Sequence, residues 1–338
     1  MSAKGSTPVR YHGGQQGTEH EQLAWAVAVD GLGFTYGEFQ RAEVLAHLVE
    51  LQGGEGSPCG GKHGYAEGIS WGEGTFLLWG GDSQRDTCHA SLAGELIEHR
   101  PWAEQMAILK RCLNGGRCTM MHLALDIMGN RPTELLDDVR SWAQAGWLRN
   151  FRRVSDQVES NVQGGECSSR GGGIYLGSKS STRRVLVYDK GAKLGISYDG
   201  RHVRIEFRVR SDVAQLMSLE LNATPTQLKA AHLVLGSIDW ADEFGEVPAR
   251  WLELVNLVGG VEPLTVAREA TSFDAFVSWA RRALGGRLSE MAYLSGVPVE
   301  DLAAQLFAGI QPKKPGRIDR CLQEYQSGHG FSSGPTVE

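Results

Sequence analysis

Residues His202 to Arg210, HVRIEFRVR, alternate without a break: Val203, Ile205, Phe207 and Val209 fall on one side and Arg204, Glu206, Arg208 and Arg210 on the other. Successive side chains of a strand point to opposite faces, so this period of two requires a strand with one apolar and one charged face. A chain that contains it must build a sheet with one side buried and the other available to carry charge.

Other segments extend the sheet. Leu23 to Tyr36 (LAWAVAVDGLGFTY) is short, apolar and bounded by glycines, which suits a buried strand. Glu38 to Leu51 then has helical spacing up to Gly53-Gly54, and the glycine-rich stretch from Gly53 to Gly61 reads as a loop. Tyr65 to Trp71, Thr75 to Trp79 and Thr87 to Leu92, separated by GEG and GGDSQRD, read as an antiparallel meander. A single helix is expected from about Gly94 to Leu113, and Pro132 to Ala145 reads as another with Pro132 in its first turn. Between them, Cys118 to Met128 has strand character with some helical ambiguity; Gly173 to Leu176 and Arg184 to Asp189 complete the strands.

From Val213 onward the pattern turns helical: Val213 to Leu221, Pro225 to Leu235, Pro248 to Leu257, Phe273 to Leu284, Leu288 to Ser295 and Val299 to Phe307. Strands first and helices later imply an α+β fold, a mainly antiparallel sheet flanked by helices with a helical C-terminal part. The division expected is a flexible N-terminus over 1–22, an α+β domain over 23–222, a helical region over 223–311 and a mobile tail over 312–338.

Several function classes fall away. No stretch approaches the 18 uncharged apolar residues of a membrane span and the N-terminus is polar, so a cytoplasmic chain without a membrane partner is expected. The six cysteines form no CxxC pair and read as reduced thiols. No GxxxxGK[ST] loop, nucleophile elbow or HExxH is present. Charge is more telling. Ser168 to Arg210 holds ten Lys and Arg against three acids, a surplus of seven in a chain of net charge −6, so the remainder stands at −13. A basic island in an acidic chain is the pattern for local docking of a polyanion; an arginine-rich solvated strand face is the alternative.

Within Cys118 to Met128, His122 and Asp126 share a face, and with Glu206 they would offer a mixed nitrogen and oxygen site suited to Mg2+ or Mn2+. The plainer alternative makes Asp126 a cap on the turn at Gly129 and His122 a core side chain. Tyr188 ends its strand beside Asp189 and Lys190, after GGGIYLGSKSSTRR, whose glycines and hydroxyls suit a turn near a phosphate. A tyrosine can attack a phosphodiester when a metal polarises the phosphate and a cation such as Lys190 or Arg204 favours phenolate; a lone strand tyrosine can equally be structural.

The run GGGIYLGSKSSTRRVLVYDKG, preceded by HLALDIMGN and followed by VRIEFRVR, resembles the replication initiation factor family, which comprises plasmid and filamentous-phage rolling-circle initiators and related relaxases of conjugative elements. The likeness extends from VAVDGLGFTY through the SLAG turn to SFDAFVSWARRAL. It implies an endonuclease that nicks and rejoins origin DNA through a 5′-phosphotyrosyl link. Tyr188 would be the nucleophile, with Tyr175 as its rival, and Asp126, Glu206 and His122 would hold Mg2+ or Mn2+. Lys190 and Arg204 would face the phosphate, and Lys179, Arg183, Arg184, Arg208 and Arg210 would bind DNA. Implied partners are origin DNA, single-stranded or hairpin at the nick, a host helicase and a second copy of the chain. Family members often read Arg, an aliphatic residue and Asp where this chain has Met120, Met121 and His122. Either His122 replaces that carboxylate as a ligand or the metal shell is weaker, which keeps a non-catalytic origin-binding regulator as an alternative; a relaxase with the same chemistry remains another, because the sequence does not separate it from an initiator.

Overall fold

A computed structural model describes residues 12–13, 23–72, 74–84, 86–129, 133–163, 166–193, 202–264, 288–298 and 301. Among the described residues, eleven strands form one sheet: β1 (His12–Gly13), β2 (Ala24–Gly37), β3 (Ser57–Gly60), β4 (Glu67–Gly72), β5 (Thr75–Trp79), β6 (Thr87–Ala93), β7 (Arg117–Met128), β8 (Val154–Gln163), β9 (Glu166–Leu176), β10 (Arg183–Asp189) and β11 (His202–Arg210). Their order is β3-β4-β5-β6-β2-β7-β11-β10-β9-β8, with β1 paired to β2. Every pairing is antiparallel. The helices are α1 (Arg41–Gln52), α2 (Gly94–Ile97), α3 (Trp102–Leu113), α4 (Thr133–Gln144), α5 (Lys190–Lys193), α6 (Ser211–Ala223), α7 (Gln227–Leu235) and α8 (Ala249–Val258). This is the α+β, mainly antiparallel architecture expected.

Alternation decides which face is buried. Val203, Ile205, Phe207 and Val209 of β11 join Leu123, Leu125 and Ile127 of β7 and Val29, Leu32 and Phe34 of β2 in the core, each almost wholly removed from water. Helices α3, α6 and α7 lie against these central strands and α4 against β9 to β11. Trp240 stands edge-on to Trp142 of α4 and Trp251 of α8, centroids 5.5 and 6.2 Å away, the offset geometry that aromatic quadrupoles favour. The opposite face carries the polar half of each strand.

The expected Gly94 to Leu113 helix is two helices, because Pro101 cannot continue a helix and instead precedes the first residue of α3. β8 was not anticipated, and neither was β3, which sits at the sheet edge within the glycine-rich stretch read as a loop. Helices α6, α7 and α8 lie where expected and a further helix covers 288–295; the expected helix at 273–284 lies outside the described residues, as does all of 299–307 except residue 301. Met1–Val266 form one compact unit and Ala267–Glu338 a second.

Candidate functional site

Three strands bring three side chains of kinds that can ligate a metal together on the polar face. In β2 the register passes from Val29↔Leu123 to Gly31↔His122, leaving Asp30 as the extra residue of a bulge. Alternation from Val27 and Val29 places Asp30 on the side opposite the core, and the bulge keeps Gly31 on that side too, so that Leu32 and Phe34 return to the core. His122 of β7 neighbours Arg208 of β11, and Glu206 follows two residues earlier on the same side. One ligand atom from each of Asp30, His122 and Glu206 lies within 4.8 Å of the others.

The electrostatics of this triplet suit a cation. Burial pushes the Asp30 carboxyl well above its usual range, reinforced by a hydrogen bond to Glu206 and by that residue's charge. Burial would raise Glu206 too, but the bond from Asp30 and the charge of Arg208 outweigh it and hold it low. The two carboxyls therefore share one proton where a divalent ion would neutralise both. Burial lowers His122 to about 4, so its imidazole is neutral near pH 7 and has a lone pair to donate. Two carboxylates and one imidazole are a donor set suited to Mn2+ or, with water completing the shell, Mg2+.

Asp126 stands one row away and is not part of the triplet. Both its oxygens accept from Arg204, Nε at 2.7 Å and Nη2 at 2.7 Å, while His202 Nε2 lies 2.9 Å away. Burial alone would raise this carboxyl, but these partners bring it down to about 2. Arg204 also gives Nη1 to Glu98 at 2.6 Å and to Asp30 at 3.1 Å. Its guanidinium is thus an internal counter-ion saturated by three carboxylates, rather than a cation turned outward to a phosphate. Lys190 likewise sits buried with Nζ 3.5 Å from Glu98. The expected ligand Asp126 and the expected phosphate-facing Arg204 are therefore partners of each other, because in this sheet they occupy directly paired positions of β7 and β11.

Tyr188 pairs with Arg204 across β10 and β11, on the same face as the triplet. It is largely buried, and desolvation raises its phenol well above the usual value against the pull of Arg204. Lys193 of α5 holds Nζ 5.4 Å from the ring centroid. Tyr175 of β9 stands opposite Leu186, with the Arg184 guanidinium 3.6 Å above its ring and that of Arg208 5.9 Å away. Both tyrosines line one cleft of about 210 Å³ together with Gln157, Asp189, Lys193 and Arg208.

Of the expected DNA-binding cations, Arg184, Arg208 and Arg210 share this face, Arg210 being exposed. Lys179 lies exposed in the turn between β9 and β10. Arg183 has the opposite parity to Arg184, and its Nη2 donates to the Leu264 carbonyl at 3.1 Å. Sequence reasoning missed Asp30 and Glu98. The signal for Asp30 was parity: a lone carboxylate alternating with Trp25, Val27 and Val29 falls on the polar face of its strand.

No curated protein matches the chain. Among solved structures, it is similar to the rolling circle replication initiator protein from Geobacillus stearothermophilus, with 18% identity, a TM-score of 0.55, and coverage of 71% of this chain and 98% of that one. That likeness is one of fold, matching the antiparallel sheet and its flanking helices. The family model for the replication initiation factor matches residues 118–304. This span is more than half of the 338 residues and holds β7, β10 and β11 with His122, Asp126, Tyr188, Arg204 and Glu206. The chain belongs to the replication initiation factor family.

Proposed function

We propose that this protein initiates rolling-circle replication by nicking one strand of its origin with Tyr188, with a divalent ion held by Asp30, His122 and Glu206. The observation that carries the reading is that this triplet and the two-tyrosine cleft share one face of the central strands. A bound Mg2+ or Mn2+ would polarise the scissile phosphate and favour phenolate. The Tyr188 oxygen then forms a bond to phosphorus as the bond to the 3′-oxygen breaks; in net terms the phenolic proton passes to that oxygen. The product is a 5′-phosphotyrosyl link and a free 3′-hydroxyl, and the retained ester energy allows the same site to reseal the strand.

The residues around the nucleophile have separate tasks. Arg204, clamped by Asp126, Glu98 and Asp30, fixes the carboxylates and offsets their charge. Arg184 and Arg208 stand over Tyr175, where a DNA backbone or base would meet positive charge. Tyr175 lines the same cleft and is the alternative nucleophile. Origin recognition falls to the sheet face and the C-terminal helices, a host helicase and a second copy of the chain being the further partners of this reading. His122 completing a triplet with two carboxylates favours catalysis over a purely regulatory relative.

The test is conversion of supercoiled plasmid carrying the protein's own origin to nicked circles with Mn2+ present. Asp30→Asn and His122→Ala should each lower the rate at least about tenfold while weakening Mn2+ binding measured by calorimetry. Unchanged nicking and Mn2+ affinity in both variants would remove the triplet from the reaction.

A further inference from the structure

The polar face continues beyond the triplet, away from the tyrosine cleft. One cross-strand row runs Phe76, Ser91, Gly33, Met120, Arg210 from β5 through β6, β2 and β7 to β11. Met120 lies two residues from His122, so Phe76 stands on the triplet's face, roughly 16 Å from His122 by strand spacing and rise. Around it gather other rings. His89 has centroids 6.2 Å from Phe76 and 6.2 Å from Tyr65, and His63 lies 6.4 Å from Phe76 and 6.3 Å from His89.

Part of this cluster reaches solvent. Tyr65 beneath is buried, while Phe76 and His89 are half-buried and His63 is exposed. Thr35 Oγ1 lies 3.1 Å from His89 Nδ1 and fixes that ring. Lys62 holds its ammonium over the Phe76 ring, 5.2 Å from the centroid. His63 sits at φ 56°, a left-handed conformation few non-glycine residues adopt. Between rings and triplet the floor is low: at Gly33 a Cβ would lie 3.0 Å from Met120 Cβ and 3.5 Å from the His89 ring. The exposed Arg210 closes the row at its far end.

We propose that His63, Phe76 and His89 form a stacking platform for unpaired bases of the DNA strand flanking the nick, a reading that rests on the function proposed above. The exposed His63 and the half-buried Phe76 and His89 offer ring surface on which any base can stack once the Lys62 ammonium swings from the Phe76 ring to a phosphate, and Lys62 and Arg210 match the charge of a single strand passing from the platform toward Arg208 and the cleft. Paired bases in a duplex present no such faces.

The experiment measures anisotropy of a labelled oligothymidylate of about twenty nucleotides, and of a duplex of equal length, with the full chain. Phe76→Leu keeps the apolar volume and loses the ring; it and His63→Ala should weaken single-strand binding by roughly five- to a hundredfold, with duplex binding unchanged. Phe76→Trp should restore binding to the wild-type level, and it separates stacking from folding if Phe76→Leu proves unstable. The proposal is overturned if the wild type does not bind oligothymidylate, if neither Phe76→Leu nor His63→Ala weakens it, if Phe76→Trp binds no better than Phe76→Leu, or if duplex binding falls in parallel. Normal single-strand and duplex binding by both variants would point instead to a protein on these rings. Covalent adduct formation by wild type is scored separately, so loss of the nicking reading would show there, whatever the rings do.

Discussion

At the residue scale, one proton decides the state of the Asp30, His122 and Glu206 triplet. Asp30 in the folded chain keeps its proton above the range where an unfolded aspartate loses it, because it is buried against Glu206. Across that interval the folded state binds more protons than the unfolded one, so Asp30 makes stability fall as pH rises. A divalent ion displacing the proton removes this penalty. Calorimetry at pH 7 in buffers of different ionisation enthalpy should show proton release on Mn2+ binding, and saturating Mn2+, about a hundredfold above Kd, should stabilise the fold by about 2.7 kcal/mol. Asp30→Asn should abolish the release; undiminished release would place the proton elsewhere. Asp126 behaves oppositely. Its folded value is depressed from 3.8 to about 2, so its contribution is fully present above about pH 4 and lost as pH falls toward 2. Asp126→Ala leaves part of the buried Arg204 charge uncompensated and should cost about 3 kcal/mol in denaturant unfolding, in contrast to Asp30→Asn, whose main loss is metal affinity. A cost below about 1 kcal/mol would show that Glu98 and Asp30 suffice for Arg204.

At the element scale, the bulge in β2 and the short helix after β6 make the site. Gly94 opens α2 directly against the bulge, and a Cβ there would fall 2.6 Å from Asp30 Oδ1 and 2.7 Å from its carbonyl oxygen. Gly94→Ala should therefore displace Asp30, cost about 1–3 kcal/mol and weaken Mn2+ binding; wild-type affinity would mean that α2 yields instead. The same scale explains what the sequence disclosed. β11, β7 and the apolar β2 were legible because each has a buried face, which forces alternation or an unbroken apolar run. β8, VSDQVESNVQ, lies at the sheet edge, and its three apolar residues, Val154, Val158 and Val162, fall four apart, a spacing that fits a helix as well as a strand. β3, SPCG, carries the proline that edge strands tolerate and helices and central strands do not. The site was half legible. His122 and Glu206 could be paired by parity along their strands, but the partner carboxylate Asp30, though of the same parity in its own strand, is distant in sequence, and only the sheet order brings its strand beside β7. Asp126 satisfied the same parity, and only the register opposite Arg204 distinguishes a salt-bridged carboxylate from a ligand.

At the scale of the whole molecule, one sheet separates two tasks. Its helix-covered face supplies stability; Phe207, almost fully buried there, should cost about 3–5 kcal/mol when truncated to alanine, with nicking retained in the folded fraction. Its opposite face aligns the ring cluster, the triplet and the two-tyrosine cleft across strands β5 to β9. The central claim is that this face makes a covalent link to DNA through Tyr188. Its most direct test is a denaturing gel of 5′-phosphate-tracked origin DNA incubated with Mn2+ and either the wild type or Tyr188→Phe. The account predicts a metal-dependent protein–DNA adduct with the wild type and none with the variant. An adduct that persists in Tyr188→Phe would move the chemistry to Tyr175 or another residue, and its absence from the wild type with every divalent metal would contradict the nicking function itself.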